Sequence, residues 1–408
     1  MNKKKSLWTR NFTIITLGTM ISAVGGVAMN LGLSLVVFDQ TQSTWFSGIF
    51  AAISMLPGIA LPVLLGPVID RMNRKHIIAG LDAFSGIWYL AFLWYIHRCG
   101  FVYGAYLLFS FVIGCVGTVC DLTYQCLYPD LIPEGFAQKG YAVSGAIYPL
   151  ATTVVTPLAA LVYGQWGIES LFLAEGCLLL LAAAFESQID YAHEKKQNAQ
   201  SFAQYKADML EGFRYLKREK GVRSIFCYMT VSGASANGVD MMALAHFQSS
   251  SVLTTAMYGL LTSAETIGRL IGSAVHYLFR IPEEKRYALT VRVYMIYELC
   301  DGLMLFLSYP LMLAARFLCG FLGSQTAAIR SAAVQNYLPA DMRARVNGLF
   351  SVLVSIGMML VQLAMGALGE IMPYRWAAIL LAAFSLFMIF LVIVRGRQHV
   401  EPVYNRKV

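Results

Sequence analysis

Charged side chains are scarce in this sequence. Asp, Glu, Lys and Arg make up 13% of its 408 residues, while 58% are hydrophobic. Soluble domains carry about 25% charged and roughly 45–50% apolar residues. A soluble chain of this size could not cover so much apolar surface with so few charges. That excludes an ordinary cytosolic enzyme, a disordered scaffold and a nucleic-acid-binding protein. Catalytic signatures are missing too, with no Walker loop, G-x-S-x-G or H-E-x-x-H motif. No ATP-driven or hydrolytic chemistry is expected, so the chain reads as a non-enzyme without a cofactor. The eight cysteines form no C-x-x-C pair, and no histidine stands at ligand spacing. They read as small apolar residues rather than metal ligands or disulfides.

What the sequence does have is long apolar runs. A helix needs about 20 mostly apolar residues to cross the hydrocarbon core of a bilayer. Twelve runs qualify, near 12–38, 46–69, 76–96, 102–126, 140–164, 168–186, 225–247, 254–279, 288–308, 310–335, 346–369 and 374–395. They are too long and continuous for barrel strands. Backbone groups in lipid must be satisfied internally, so the runs are helices. The first follows Lys3, Lys4 and Lys5. It is too long for the core of a signal peptide and reads as a retained anchor.

The basic residues fix an orientation. Counting connections alternately, one side holds 25 of the 31 Lys and Arg residues. The other side holds Arg98 and Arg375, and Arg269, Arg292, Arg316 and Arg330 lie inside runs. The asymmetry puts both termini in the cytoplasm of a multi-pass cell-membrane protein. The net charge of +8 is therefore an orientation signal and not a patch for an anionic partner.

The longest polar stretch, 187–224, separates two six-helix halves, 1–186 and 225–395, and leaves 396–408 as a cytoplasmic tail. Within it Phe202, Tyr205, Met209, Phe213 and Leu216 recur every three or four residues. That spacing predicts an amphipathic linker helix along the cytoplasmic surface. The halves are weakly alike. Ile132-Pro133-Glu134 aligns with Leu338-Pro339-Ala340, and Arg74-Lys75 with Lys285-Arg286.

Against that background, Gly66-Pro67-Val68-Ile69-Asp70-Arg71-Met72-Asn73-Arg74-Lys75 is similar to the motif between helices 2 and 3 of the major facilitator superfamily. Asn11-Phe12, Phe38-Asp39-Gln40-Thr41, Pro129-Asp130-Leu131-Ile132-Pro133, Glu211-Gly212-Phe213-Arg214-Tyr215-Leu216 and Arg343-Ala344-Arg345-Val346-Asn347-Gly348 resemble its macrolide-efflux and enterobactin-exporter branch. The resemblance implies an all-α fold of twelve transmembrane helices in two pseudo-symmetric six-helix bundles. It also implies a secondary transporter that works by alternating access. The expected cargo is an amphiphilic drug or siderophore-like molecule, exported against proton entry by a monomer. Import of a metabolite, or a non-transporting receptor or scaffold on the same fold, are the alternatives. Two departures weaken the motif case for export. The helix-5 glycines of many exporters are replaced in Thr156-Pro157-Leu158-Ala159-Ala160-Leu161, and no Arg or Lys occurs between 101 and 130.

Ionisable residues inside spans are costly, roughly 2.5–3.5 kcal/mol on insertion scales, and mark functional candidates. In the resembled fold, helices 1, 4, 7 and 10 line the central cavity. That places Asp121 and Asp240 near it as proton-site candidates, each alternatively a carboxylate bonded to a neighbouring helix. Asn30, Gln125, Asn237, Gln325 and Arg330 are further polar candidates. Gly66, Asp70, Arg71, Arg74 and Lys75 are expected to form a cytoplasmic gating network. Glu265 and Arg269 stand four apart on one helix face, the spacing of an intrahelical ion pair. Glu298 and Asp301 share a face and could pair with Arg292 or Arg316.

Overall fold

The computed structural model describes residues 6–69, 73–133, 136–190, 202–278, 282–339 and 342–406. Among them every regular element is helical. In chain order these are α1 (Arg10–Thr41), α2 (Thr44–Ile69), α3 (Arg74–Cys99), α4 (Tyr103–Leu131), α5 (Ala137–Glu186), α6 (Phe202–Arg218) and α7 (Lys220–Gln248). They are followed by α8 (Thr255–Leu278), α9 (Arg286–Leu303), α10 (Tyr309–Tyr337), α11 (Arg343–Ile371), α12 (Tyr374–Met388) and α13 (Arg397–Tyr404). A π-helical turn, Ile389–Val394, follows α12.

Eight of these helices are long and apolar enough to cross a membrane by length and composition. α7, α8 and α9 are not among them. They carry Asp240, Glu265, Arg269, Arg292, Glu298 and Asp301, which lower their hydropathy. α5 covers a stretch where the sequence predicts two spans. Gly167 has φ 70° inside it, and the two arms meet there. A side chain would strain that backbone, so glycine is what lets the chain turn. Gly100 does the same after α3, with φ 68° and its N–H bonded to the Ile96 carbonyl. At the other end of α3, the Asn73 side chain accepts from the Lys75 N–H at 3.2 Å, an N-cap.

The chain divides into two compact units. One is Met1–Gln40 with Ile53–Phe202, and the other is Thr41–Ala52 with Ala203–Val408. In the first unit α3 packs on the second arm of α5. Gly86 and Gly176 sit backbone to backbone, so that a Cβ on either would lie 3.0–3.2 Å from the other's carbonyl oxygen. Near the far end of α3, Phe92, Phe109 and Phe172 form a ring cluster with Tyr106, with Phe92 and Phe109 centroids 4.3 Å apart.

In the second unit, Val400, Val403 and Tyr404 of α13 are buried, and the Tyr404 hydroxyl meets that of Tyr294 at 3.0 Å. On its outer face Arg397 donates to Glu401 at 2.8 Å, which holds the Glu401 carboxyl below the usual carboxylate range. The linker helix forms as α6. Its Leu216 is buried, Gly212 lies against the Arg345 backbone, and Glu211 accepts from Arg345 at 2.6 Å. Phe213, on the same apolar stripe, is 58% exposed to the surroundings of the protein, while Gly212 and Leu216 turn inward. Side chains of Phe202, Tyr205 and Met209 lie outside the described residues.

Glu370, at the end of α11, caps α2. Its carboxylate accepts from the Ser43 hydroxyl at 2.6 Å, the Trp45 N–H at 3.0 Å and the Thr44 hydroxyl at 3.3 Å. Thr44 also donates to the Gly366 carbonyl at 2.8 Å. A carboxylate at this position satisfies N–H groups that the helix leaves unpaired and faces its positive end. Glu370→Ala is therefore expected to cost about 0.5–2 kcal/mol, the loss typical of a cap. Glu370→Gln should cost less, since it keeps the acceptor and loses only the charge. Thermal unfolding of the purified variants in detergent checks the ranking, and equal stability of wild type and Glu370→Ala would refute the cap.

Candidate functional site

The second unit holds a charge network centred on Arg316 of α10, whose side chain is 1% exposed. Three helices bring a carboxylate to it. Asp301 of α9 accepts at 2.9 Å, Glu265 of α8 lies at 3.3 Å, and Asp240 of α7 accepts from the other guanidinium nitrogen. Arg269 pairs with Glu265 one turn along α8. Asp301 is 2% exposed, whereas the Asp240 side chain is 41% exposed. A guanidinium offers five N–H donors in a planar fork, which is why one arginine can serve three acids. A lone buried charge would be prohibitive here, and pairing is what lets it stay.

Small residues make the network reachable. On α8, Gly268 and Gly272 lie against the backbone of Phe317 and Phe321 on α10, and Gly320 of α10 lies against the backbone of Glu265. The two helices therefore approach at backbone distance, and Glu265 can span to Arg316.

The candidates read from the sequence are distributed as follows. Asp240, Glu265, Arg269 and Asp301 are brought together. Glu298 is separate: it accepts from Tyr228 at 3.2 Å and Ser232 at 3.1 Å, both of α7, and pairs with neither Arg292 nor Arg316. Hydroxyls serve it in place of a cation. Asp121 and Gln125 on α4 and Asn30 on α1 have exposed side chains. Asn237 donates to the Gly233 carbonyl of its own helix at 2.9 Å, Gln325 donates to the Gly272 carbonyl, and Arg330 is half-buried on α10. Gly66 lies in α2, while Asp70 and Arg71 fall outside the described residues. Arg74 is buried and donates to Asp130 of α4 at 2.9 Å and to the Cys126 carbonyl at 3.2 Å. That bond ties α3 to α4 within the first unit. Lys75 follows on the first turn of α3 and lines a crevice.

Three buried acids escaped the sequence reading: Asp82 on α3, and Glu175 and Glu186 on the second arm of α5. Asp82 is the lone acid of the run 76–96, and Glu175 and Glu186 lie in the run 168–186; acids within apolar runs are the signal that could have found them.

Comparison with known proteins agrees with this architecture. The sequence pattern of the Major Facilitator Superfamily matches residues 9–300 and, in a second block, 294–407. The uncharacterized MFS-type transporter YjbB of Bacillus subtilis (strain 168) is 22% identical over 272 residues, 66% of this chain and 66% of that protein. Macrolide efflux protein A of Streptococcus pyogenes is 21% identical over 234 residues, 56% of each chain. The aligned stretches thus span just under two thirds and just over half of these relatives' lengths. Among solved structures, nucleoside transporter NupG superposes with a TM-score of 0.74 at 14% identity, covering 95% of this chain and 100% of that one. A bacterial homologue of the lysosomal transporter Spinster gives 0.64 at 13% identity over 99% of this chain and 100% of that one. These are likenesses of fold. With its apolar helices, the match along nearly its whole length identifies the chain as a multi-pass membrane protein that belongs to the Major Facilitator Superfamily, a family of transporters and not of enzymes.

Proposed function

We propose that this transporter exports an amphiphilic small molecule, drug-like or siderophore-like, in exchange for protons by alternating access. One observation carries the reading: a buried arginine shared by carboxylates from three helices. Arg269 and Arg316 face Asp240, Glu265 and Asp301, so the fully ionised group holds two positive and three negative charges. One added proton makes it neutral. Asp240 is the acid placed to take it, because Arg316 and Asp301 are sealed while Asp240 is partly open. Such a switch between two charge states is what proton coupling requires.

The reading includes twelve spans in two six-helix bundles, 1–186 and 225–395, with linker 187–224, tail 396–408 and both termini in the cytoplasm. The break at Gly167 supports counting the arms of α5 as two spans. The 25 basic residues on one side support the orientation. Export takes its support from the stretch shared with macrolide efflux protein A. Asn30, Asp121, Gln125, Asn237, Gln325 and Arg330 are the remaining candidates for substrate or proton contact. Gly66, Asp70, Arg71, Arg74 and Lys75 are the candidate cytoplasmic gate.

Asp240→Asn locks the neutral form, so in proteoliposomes it should abolish transport driven by an imposed proton gradient yet leave downhill exchange of a macrolide probe. A wild-type rate indifferent to the proton gradient would sink the coupling. Flux in inverted but not right-side-out vesicles supports export, the opposite pattern makes the protein an importer, and no flux in either makes it a receptor or scaffold.

A further inference from the structure

We infer that Asp82, Glu175 and Glu186 form a second proton-holding site, in the first unit, entered from a crevice between α3 and α5. The inference rests on the proton-coupled reading above and extends it to a place where that reading assigns nothing.

The three side chains are 8%, 4% and 3% exposed. Asp82 accepts from the Ser22 hydroxyl of α1 at 3.2 Å, and the Cys120 thiol of α4 lies 3.9 Å from its other oxygen. The Glu186 carboxyl packs against Gly18, one turn along α1 from the Ser22 that serves Asp82. A carboxylate buried there without a donor would carry an uncompensated charge, which favours the neutral, protonated acid. One Oε2 atom of Glu175 and one of Glu186 are buried with no hydrogen-bond partner among the described residues.

α1 is shaped around these acids. Gly18, Ser22 and Gly25 recur at spacings of four and three, one face of the helix. A Cβ on Gly18 would lie 2.6 Å from Glu186 Oε1, and one on Gly25 would overlap Glu175 Oε2. The glycines therefore hold open two niches, each filled by a carboxyl group.

Among the described residues no Lys or Arg pairs with any of the three acids. The titratable groups around it are Tyr89 on α3, Cys120, Asp121 and Tyr124 on α4, and Tyr148 on the first arm of α5. All are neutral or acidic, and from α1 the Ser22 hydroxyl donates to Asp82. The Arg316 network differs in kind, since its acids have guanidinium partners. The occupant this inference assigns to the acids is the proton, which needs no further ligands and neutralises one carboxylate at a time. A buried acid with no cation partner among the described residues holds a proton in preference to a bare charge.

A crevice of about 530 Å³ opens beside Asp82 and Glu186, which do not line it themselves, and is the entry this inference assigns. Lys75 and His76 stand at its mouth, and its walls include Ala79, Ala83, Ala183 and Ser187. Ala83 and Ser187 are the chain neighbours of Asp82 and Glu186.

The test is infrared difference spectroscopy of the full-length protein in lipid, joined to transport assays across pH. Wild type is expected to show the C=O stretch of protonated carboxyl groups at neutral pH, and Glu175→Gln and Glu186→Gln each to lose part of it. Gln keeps the shape and hydrogen-bonding of a protonated acid, so both variants should fold and should flatten the pH dependence of macrolide-probe transport. Asp82→Asn gives a third, independent difference. Ala83→Leu, which fills the crevice, should slow exchange of deuterium into the band. A carboxyl band unchanged in all three acid variants overturns the site, and so does a wild-type pH profile retained by all three. Rapid exchange in Ala83→Leu overturns the entry route. If wild-type transport ignores the proton gradient, the coupled reading of the Arg316 network fails, while the spectra still decide whether protons reside here.

Discussion

Arg316→Ala is expected to be the most damaging single substitution in the second unit, costing about 3–5 kcal/mol, the range for breaking a buried ion pair by removing one partner. The reason is what it leaves behind. Asp301, Glu265 and Asp240 converge on that guanidinium, and without it three acids face one another with only Arg269 nearby. Arg316→Lys should fall between, because an ammonium keeps the charge but cannot fork toward three partners. Most informative is the pair Arg316→Ala with Asp301→Ala. Removing the more sealed acid along with the arginine should recover a large part of the stability, since the penalty comes from the unpaired charge and not from lost packing. Thermal unfolding of purified protein measures all three. Full additivity in the double variant would show that the network is a set of unrelated contacts. Gradient-driven transport should be lost in Arg316→Ala and in the double variant alike, which separates the stability of the network from its charge switching.

The sequence announced this network unevenly. Glu265 and Arg269 were legible from their i,i+4 spacing, a local signal. Asp301 was narrowed to two arginines, of which Arg316 is the partner. That Asp240 joins the same guanidinium was not legible, because the two lie 76 positions apart on helices whose rotation nothing local specifies. The same difficulty hid Asp82, Glu175 and Glu186. Helices apolar on every side present no preferred face, so hydrophobic periodicity cannot say which residues meet a neighbour. The cavity-lining helices of the resembled fold include neither α3 nor the second arm of α5. Helix positions are more legible because they depend on composition over some twenty residues. The merged α5 is instructive here: the sequence separated its arms by a short break, and the backbone turns within that break, at Gly167.

The second large effect concerns glycines rather than charges. Gly320→Val is expected to disrupt the second unit and abolish transport, although Gly320 carries no functional group. A Cβ there would run into the Glu265 carbonyl oxygen, and one on Gly268 would run into that of Phe317. Backbone atoms of packed helices cannot swing aside as a side-chain tip can, so α8 and α10 must separate. Overpacking of a core costs about 1–3 kcal/mol, occasionally more, and here the separation also lengthens the 3.3 Å approach of Glu265 to Arg316. Gly323→Ala is the matched control. It lies one turn along α10, and an added Cβ there would meet only the Tyr297 ring, at 3.6 Å or beyond, an ordinary van der Waals contact. That variant should keep near wild-type stability and transport. Comparing the two by thermal unfolding and by gradient-driven flux distinguishes helix approach from general intolerance of bulk in α10. Equal behaviour of Gly320→Val and Gly323→Ala would mean that the α8–α10 distance is not what holds the charge network together.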